Sequence, residues 1–222
     1  MPPAATGLRF PHERVFLGRT KLAYVHLQNL LNDAKRDRTA RVSGYVAVAI
    51  ADELLVFFLQ RGEAVNAVIV DGSSRRSMSI NEALSRLPAE PELGEVCFHE
   101  ASDEQLACMY RTLLFEPERW PDDVVPADPR SLFPYLRDVA FDGVVEVRVG
   151  TAVNYLRMRD GLISRTFFCD PPPVSPGEQL SRLFAGGGPF GRAQVQHWNG
   201  LPPLPVQALS PNASERQKGS TQ

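Results

Sequence analysis

Cys97 and His99 stand two residues apart in Gly94-Glu95-Val96-Cys97-Phe98-His99. This stretch reads as a strand, so the two side chains leave one face. With Cys169 or His197 they would offer the thiolate and imidazole ligands that zinc takes. No C-x-x-C or H-x-x-x-H spacing accompanies them, so they are read as ordinary packed residues and no metal is expected. The four histidines, His12, His26, His99 and His197, are scattered, and no serine or cysteine occupies a G-x-S-x-G elbow, so a nucleophilic triad is not assembled. His26 falls on the apolar side of a predicted helix and is read as structural. Asp52, Glu53, Asp122 and Asp123 fall in turns or a connection, where carboxylates are solvated. Gly186-Gly187-Gly188-Pro189-Phe190-Gly191 lacks the Lys-Ser/Thr of a phosphate loop and reads as a helix stop followed by a turn. These readings give no catalytic residue and no cofactor, and the chain is expected not to be an enzyme.

The elements that would carry these residues are ordinary for a globular protein. Of 222 residues, 43% are hydrophobic and 23% charged, enough apolar content for a packed core. A formal net charge of −2 gives no whole-surface attraction to nucleic acid or anionic membrane. Three cysteines without paired spacing argue against a disulfide framework and for a reducing, cytoplasmic setting. The opening MPPAATGLRF lacks the apolar stretch of a secretory signal, and the run Leu54 to Leu59 is too short to cross a bilayer. A soluble protein without membrane partners is expected.

Apolar periodicity predicts a helix over 20–35, then strands over 44–50, 54–60 and 64–70 joined by turns too short for anything but an antiparallel meander. Ser79 and Glu82 fit a capping box for a second helix, 94–99 reads as a strand, and Ser102 with Gln105 opens a third helix. The second half repeats the order: a short helix around 132–136 containing Pro134, strands over 143–149, 153–159 and 162–168, a helix capped by Ser175 and Glu178, and a strand over 193–198. From Gly44 to Gly62 is 62 − 44 = 18 positions, and from Gly143 to Gly161 is 161 − 143 = 18. Glu82-Ala83-Leu84-Ser85-Arg86-Leu87 stands opposite Glu178-Gln179-Leu180-Ser181-Arg182-Leu183. The expected fold is α+β, with two tandem helix–three-stranded antiparallel meander–helix–strand units. Their bounds are an N-terminal extension (1–18), a first unit (19–115), an acidic, proline-rich linker (116–130), a second, diverged unit (131–200) and a disordered tail (201–222).

The first unit resembles the PATAN domain. The likeness is carried by Leu30 and Leu31, Gly44-Tyr45-Val46, Phe57-Phe58-Leu59, Gly62-Glu63-Ala64-Val65-Asn66-Ala67, Glu82-Ala83-Leu84 and Gly94-Glu95-Val96-Cys97-Phe98. It covers about residues 19–100. The second unit has Ser164-Arg165-Thr166 where the first has Val65-Asn66-Ala67. The resemblance implies a regulatory or protein-interaction module of bacterial signalling, with no catalytic residue to carry over.

The two sheets differ in surface. The second strand of the first unit is apolar on both faces and must be covered on both, by the other unit, by the helix from Ser102 to Leu114 or by a second subunit in a homo-oligomer. In the second unit one face carries Glu146, Arg148, Tyr155, Arg157 and Arg159, read as a solvated face or a docking surface for an acidic partner. Arg75 and Arg76 would contribute similar contacts. The functional expectation is a non-catalytic adaptor working through protein partners. The alternative is a nucleic-acid-associated protein that uses the arginine face. On either reading the first unit assembles and the second meets the partner.

Overall fold

Two tight turns set the pattern of the chain. Arg61 and Gly62 take φ of 51° and 83°, and Asp160 and Gly161 take 48° and 72°. Positive φ at both central residues matches the right-handed twist of the flanking strands, and glycine adopts it without Cβ strain. A computed structural model of the chain describes residues 5–36, 42–71, 74–88, 94–169, 173–185 and 193–205. The glycine-rich run 186–191 and the tail beyond 205 lie outside the described residues.

The first half contains β1 (Arg14–Lys21), α1 (Leu27–Arg36), β2 (Gly44–Ile50), β3 (Glu53–Gln60), β4 (Glu63–Asp71), β5 (Ser74–Met78), α2 (Ile80–Ser85) and β6 (Gly94–Glu100). There follow α3 (Asp103–Leu114), α4 (Pro129–Asp138), β7 (Gly143–Val149), β8 (Ala152–Arg159), β9 (Leu162–Phe167), α5 (Pro176–Phe184) and β10 (Gln194–Asn199). The protein is therefore mixed α+β, with two antiparallel sheets ordered β1-β6-β2-β3-β4-β5 and β10-β7-β8-β9.

Helix starts follow local chemistry. Ser79, Ser102 and Ser175 each accept the backbone N–H three residues on, at 3.2, 3.4 and 3.3 Å, satisfying donors that the first turn leaves open. Glu82 does not complete its box in the expected way; its carboxylate meets Arg76 at 3.0 Å. The helix expected over 20–35 is split. Leu22–Tyr24 form a single 3-10 turn, and α1 starts after His26, whose Nδ1 accepts the Asn29 N–H at 3.3 Å. His26 is thus an exposed cap rather than a residue of the apolar stripe. Pro134 lies inside α4 without ending it.

A shift of 143 − 44 = 99 positions carries the register of the first sheet onto the second. Gly44↔Leu59 becomes Gly143↔Met158, and Gly44↔Glu100 becomes Gly143↔Asn199. The irregularity between Phe58 and Leu59 recurs between Arg157 and Met158. At Gly44 a Cβ would strike the His99 carbonyl oxygen, and at Gly143 the Trp198 carbonyl oxygen. Both strands begin where only a glycine lets the neighbouring backbone approach.

Equivalent faces of the two sheets meet in one core. Tyr45, Val56 and Phe58 of the first sheet and Val144, Tyr155 and Trp198 of the second belong to one buried cluster, with Leu106, Met109 and Leu113 of α3 between them. The outer face of the first sheet is covered by α1 and α2 through Leu27, Leu31 and Ala83. The outer face of the second is covered by α4, through Leu132 and Leu136, and by α5. The two-sided burial expected of β3 is met: residues 54–59 are all buried.

Segments read as connections are fastened to the sheets. Residues 14–18, placed in an N-terminal extension, are part of β1, and Arg75 and Arg76 belong to a strand, β5, that the apolar periodicity does not predict. In the stretch read as a linker, the Trp120 indole N–H donates to the Val195 carbonyl at 3.0 Å, and the Glu118 N–H donates to the His197 carbonyl at 2.9 Å. Of the stretch read as a tail, Leu204 is buried in the shared core, and the Pro205 carbonyl accepts from Asn66 Nδ2 at 3.2 Å.

Candidate functional site

Tyr45, Ala47 and Ala49 leave β2 on its core-facing side and lie in register with His99, Cys97 and Glu95 of β6. The expectation that Cys97 and His99 share a face is therefore met. The strap formed by residues 8–12 passes over this face. Its Arg9 pairs with the far sheet, receiving the Val153 N–H and donating to the Thr151 carbonyl, each at 2.9 Å. Phe10 meets Tyr45 edge-on at 6.0 Å between centroids. A cavity of about 150 Å³ remains between strap and sheet, lined by Ala47, Ala49, Leu54, Cys97 and His99 of the sheet and by Phe10 and His12 of the strap, with Cys169 also reaching it.

One end of this cavity is polar. The His12 and His99 rings lie 4.4 Å apart between centroids, tilted at 51°, and the Tyr45 hydroxyl lies 2.9 Å from His99 Nδ1. The same hydroxyl is 3.2 Å from the carbonyls of Phe10 and Pro11. These carbonyls can only accept, so the tyrosine proton is available to them as well as to the ring. At the rim, Arg19 and Glu95 form an ion pair on the surface. Burial is the main influence on the Cys97 thiol and pushes its pKa up, against opposing contributions from a backbone hydrogen bond with Ala47 and from Arg19. A thiol in that state is a poor nucleophile at neutral pH. Cys169 reaches the same cavity, but His197 lies apart, against Trp120 at 3.9 Å. Among the described residues no three His, Cys, Asp or Glu side chains converge on a metal position.

The six residues proposed from sequence to bind a partner are placed differently from one another. Arg76 and Arg159 are exposed, Arg75 and Arg148 half-buried, and Tyr155 and Arg157 buried at 0% and 7% exposure. The solvated arginine face expected of the second sheet is thus corrected: it is the face turned toward α3 and the first sheet. Arg157 reaches Asp142 at 2.8 Å and the Gly143 carbonyl at 2.9 Å. Glu104 of α3 takes Arg159 at 3.0 Å and Arg165 at 3.3 Å. Glu146, 3% exposed, pairs with Arg148 at 2.6 Å. Arg75 donates to the Thr112 carbonyl at 3.2 Å, and Thr112 Oγ1 donates to the Tyr155 hydroxyl at 3.2 Å, so α3 joins two of the proposed residues from opposite sheets. Burial raises the Tyr155 pKa well above its ordinary value. The division of labour expected between units fails on this point, because the polar face is used inside the molecule.

Sequence reasoning missed the strap. Phe10 and His12 precede any periodic segment, and only the pairing of Arg9 with the second sheet brings them over β2. No helix among the described residues is long and apolar enough to cross a membrane. Comparison of the chain with known protein families, with curated proteins and with solved structures yields no match.

Proposed function

We propose that the chain is a non-catalytic adaptor of bacterial signalling, built from two copies of one PATAN-like unit that share a core and binding a protein partner along the free edge of β1. The observation that carries the reading is that edge. β1 pairs only with β6 among the described residues, and it exposes Val15 and Phe16 at 49% and 38%, with Tyr24 at 79% close by in sequence. An exposed strand edge with apolar side chains is the surface to which an extended peptide adds a strand. The common 99-residue register supports the two-copy reading. Three cysteines without paired spacing support a reducing compartment. Both faces of the first sheet are covered within the chain, which leaves edges rather than faces for self-association. The inward turn of Arg157 and Tyr155 removes the continuous basic face that the nucleic-acid alternative needs.

The test is photocrosslinking in the native host from a benzophenone residue at position 15, 16 or 24, with position 139 or 162 as control. Discrete protein adducts from the β1 positions alone, lost in a Val15→Lys, Phe16→Glu double variant that unfolds like the wild type, are the expected result. Equal adducts from the controls, or none from β1, would overturn it.

A further inference from the structure

The second sheet fills a place that the first leaves empty. Under the common register Ala47 and Ala49 correspond to Glu146 and Arg148, which occupy their seat with a 2.6 Å ion pair. In the first sheet two methyl groups stand there, and the cavity of about 150 Å³ is the space they vacate. An apolar space of about this size holds one benzene ring. Ala47, Ala49, Leu54 and Cys97 provide apolar walls, while the adjacent rings of His12 and His99 provide a polar end. At the rim the charges of Arg19 and Glu95 are spent on each other, and Arg9 Nε reaches Thr151 Oγ1 at 3.5 Å. The raised pKa of the Cys97 thiol, caused first by burial, fits an interior that disfavours charge.

The geometry points to a binding site for a small neutral aromatic molecule, about one ring in size, with a single hydrogen-bonding substituent turned to His12 and His99. Ring faces suit the methyl-lined floor, and a hydroxyl or amide suits imidazoles that can donate or accept. A carboxylate or ammonium group lodged against Ala47, Ala49 and Leu54 would lose its hydration to apolar walls. This inference does not depend on the adaptor reading, since the site lies beneath the strap rather than on the edge of β1.

The test uses phenol as the probe and the full chain labelled with ¹⁵N. Saturable shifts at the amides of Ala47, Cys97, His99 and the strap are expected below about 10 mM phenol, with benzoate at least about tenfold weaker. Ala47→Leu fills the floor and should abolish the shifts. His12→Ala, in the strap rather than in a strand, should raise the phenol Kd at least about fivefold. Thermal melts are run on both variants, and the comparison is made on those that melt like the wild type. Absence of shifts in the wild-type chain overturns the site, and so does binding unchanged in either variant. Benzoate binding as tightly as phenol overturns its neutral character.

Discussion

The Glu104 carboxylate stands 3.7 Å from the buried guanidinium of Arg157. Arg157 occupies the position that Phe58 holds in the first sheet, so a charge lies where a fully buried aromatic lies on the other side of the core. Removing Glu104 leaves Arg157 to Asp142 at 2.8 Å and takes away the acceptor that Arg159 and Arg165 share. Glu104→Ala is expected to lower stability by about 1.5–3 kcal/mol, whereas Arg159→Ala and Arg165→Ala, at the exposed ends of the same cluster, should each cost less than about 1 kcal/mol. Urea unfolding midpoints of the three variants check the ranking.

Gly44 and Gly143 hold equivalent places against a facing carbonyl. Gly44→Ala and Gly143→Ala should each destabilise by more than about 2 kcal/mol, because the obstacle is backbone and cannot rotate away. Gly177→Ala, where an added Cβ meets nothing within 4 Å, is the control and should stay within about 0.5 kcal/mol of the wild type.

His197 lies against Trp120 and Phe141. Burial lowers its pKa below the ordinary value of 6.5, and Glu118 opposes this only in part. A folded state that resists protonation holds fewer protons than the unfolded chain, so its stability is full above the ordinary histidine value and falls as pH drops through it. Unfolding midpoints measured from about pH 7.5 down to pH 5.5 should fall less steeply for His197→Gln than for the wild type.

The thiols should be kinetically silent in the native chain. Burial pushes Cys108 up to about 12 and also raises Cys97. A disulfide exchange reagent at neutral pH is expected to react slowly with Cys97 and not with Cys108, and to reach both when the protein is unfolded. Rapid native labelling of Cys108, located by peptide mapping, would count against the fold around α3.

Elements whose signals are local were legible. The hairpins at Gly62 and Gly161 and the caps at Ser79, Ser102 and Ser175 depend on neighbours a few residues away, and β2, β3, β4, β7 and β8 lie inside their sheets and carry alternating or continuous apolar runs. β1 and β5 escaped because edge strands carry solvent on one flank: RVFLGRTK and SRRSM lack the apolar alternation of a buried strand. The direction faced by Arg157 and Tyr155 was not legible either. It depends on α3, whose buried residues include Gln105 and Thr112 and whose partners come from both halves. For the cavity, the paired alanines and the Cys97–His99 spacing were visible. Their roof was not, because the strap is held by a pairing that links residue 9 to residues 151 and 153.

The exchange of Phe58 for Arg157 at matched positions also makes the two sheets poor substitutes for each other. Where halves are built to one plan, strands of separate molecules can trade places during synthesis and entangle them. Two second sheets brought face to face would set guanidinium against guanidinium, without the single Glu104 that serves one copy of the arrangement. The polar seam therefore tells a second sheet from a first, and it disfavours the pairing of like sheets from neighbouring chains.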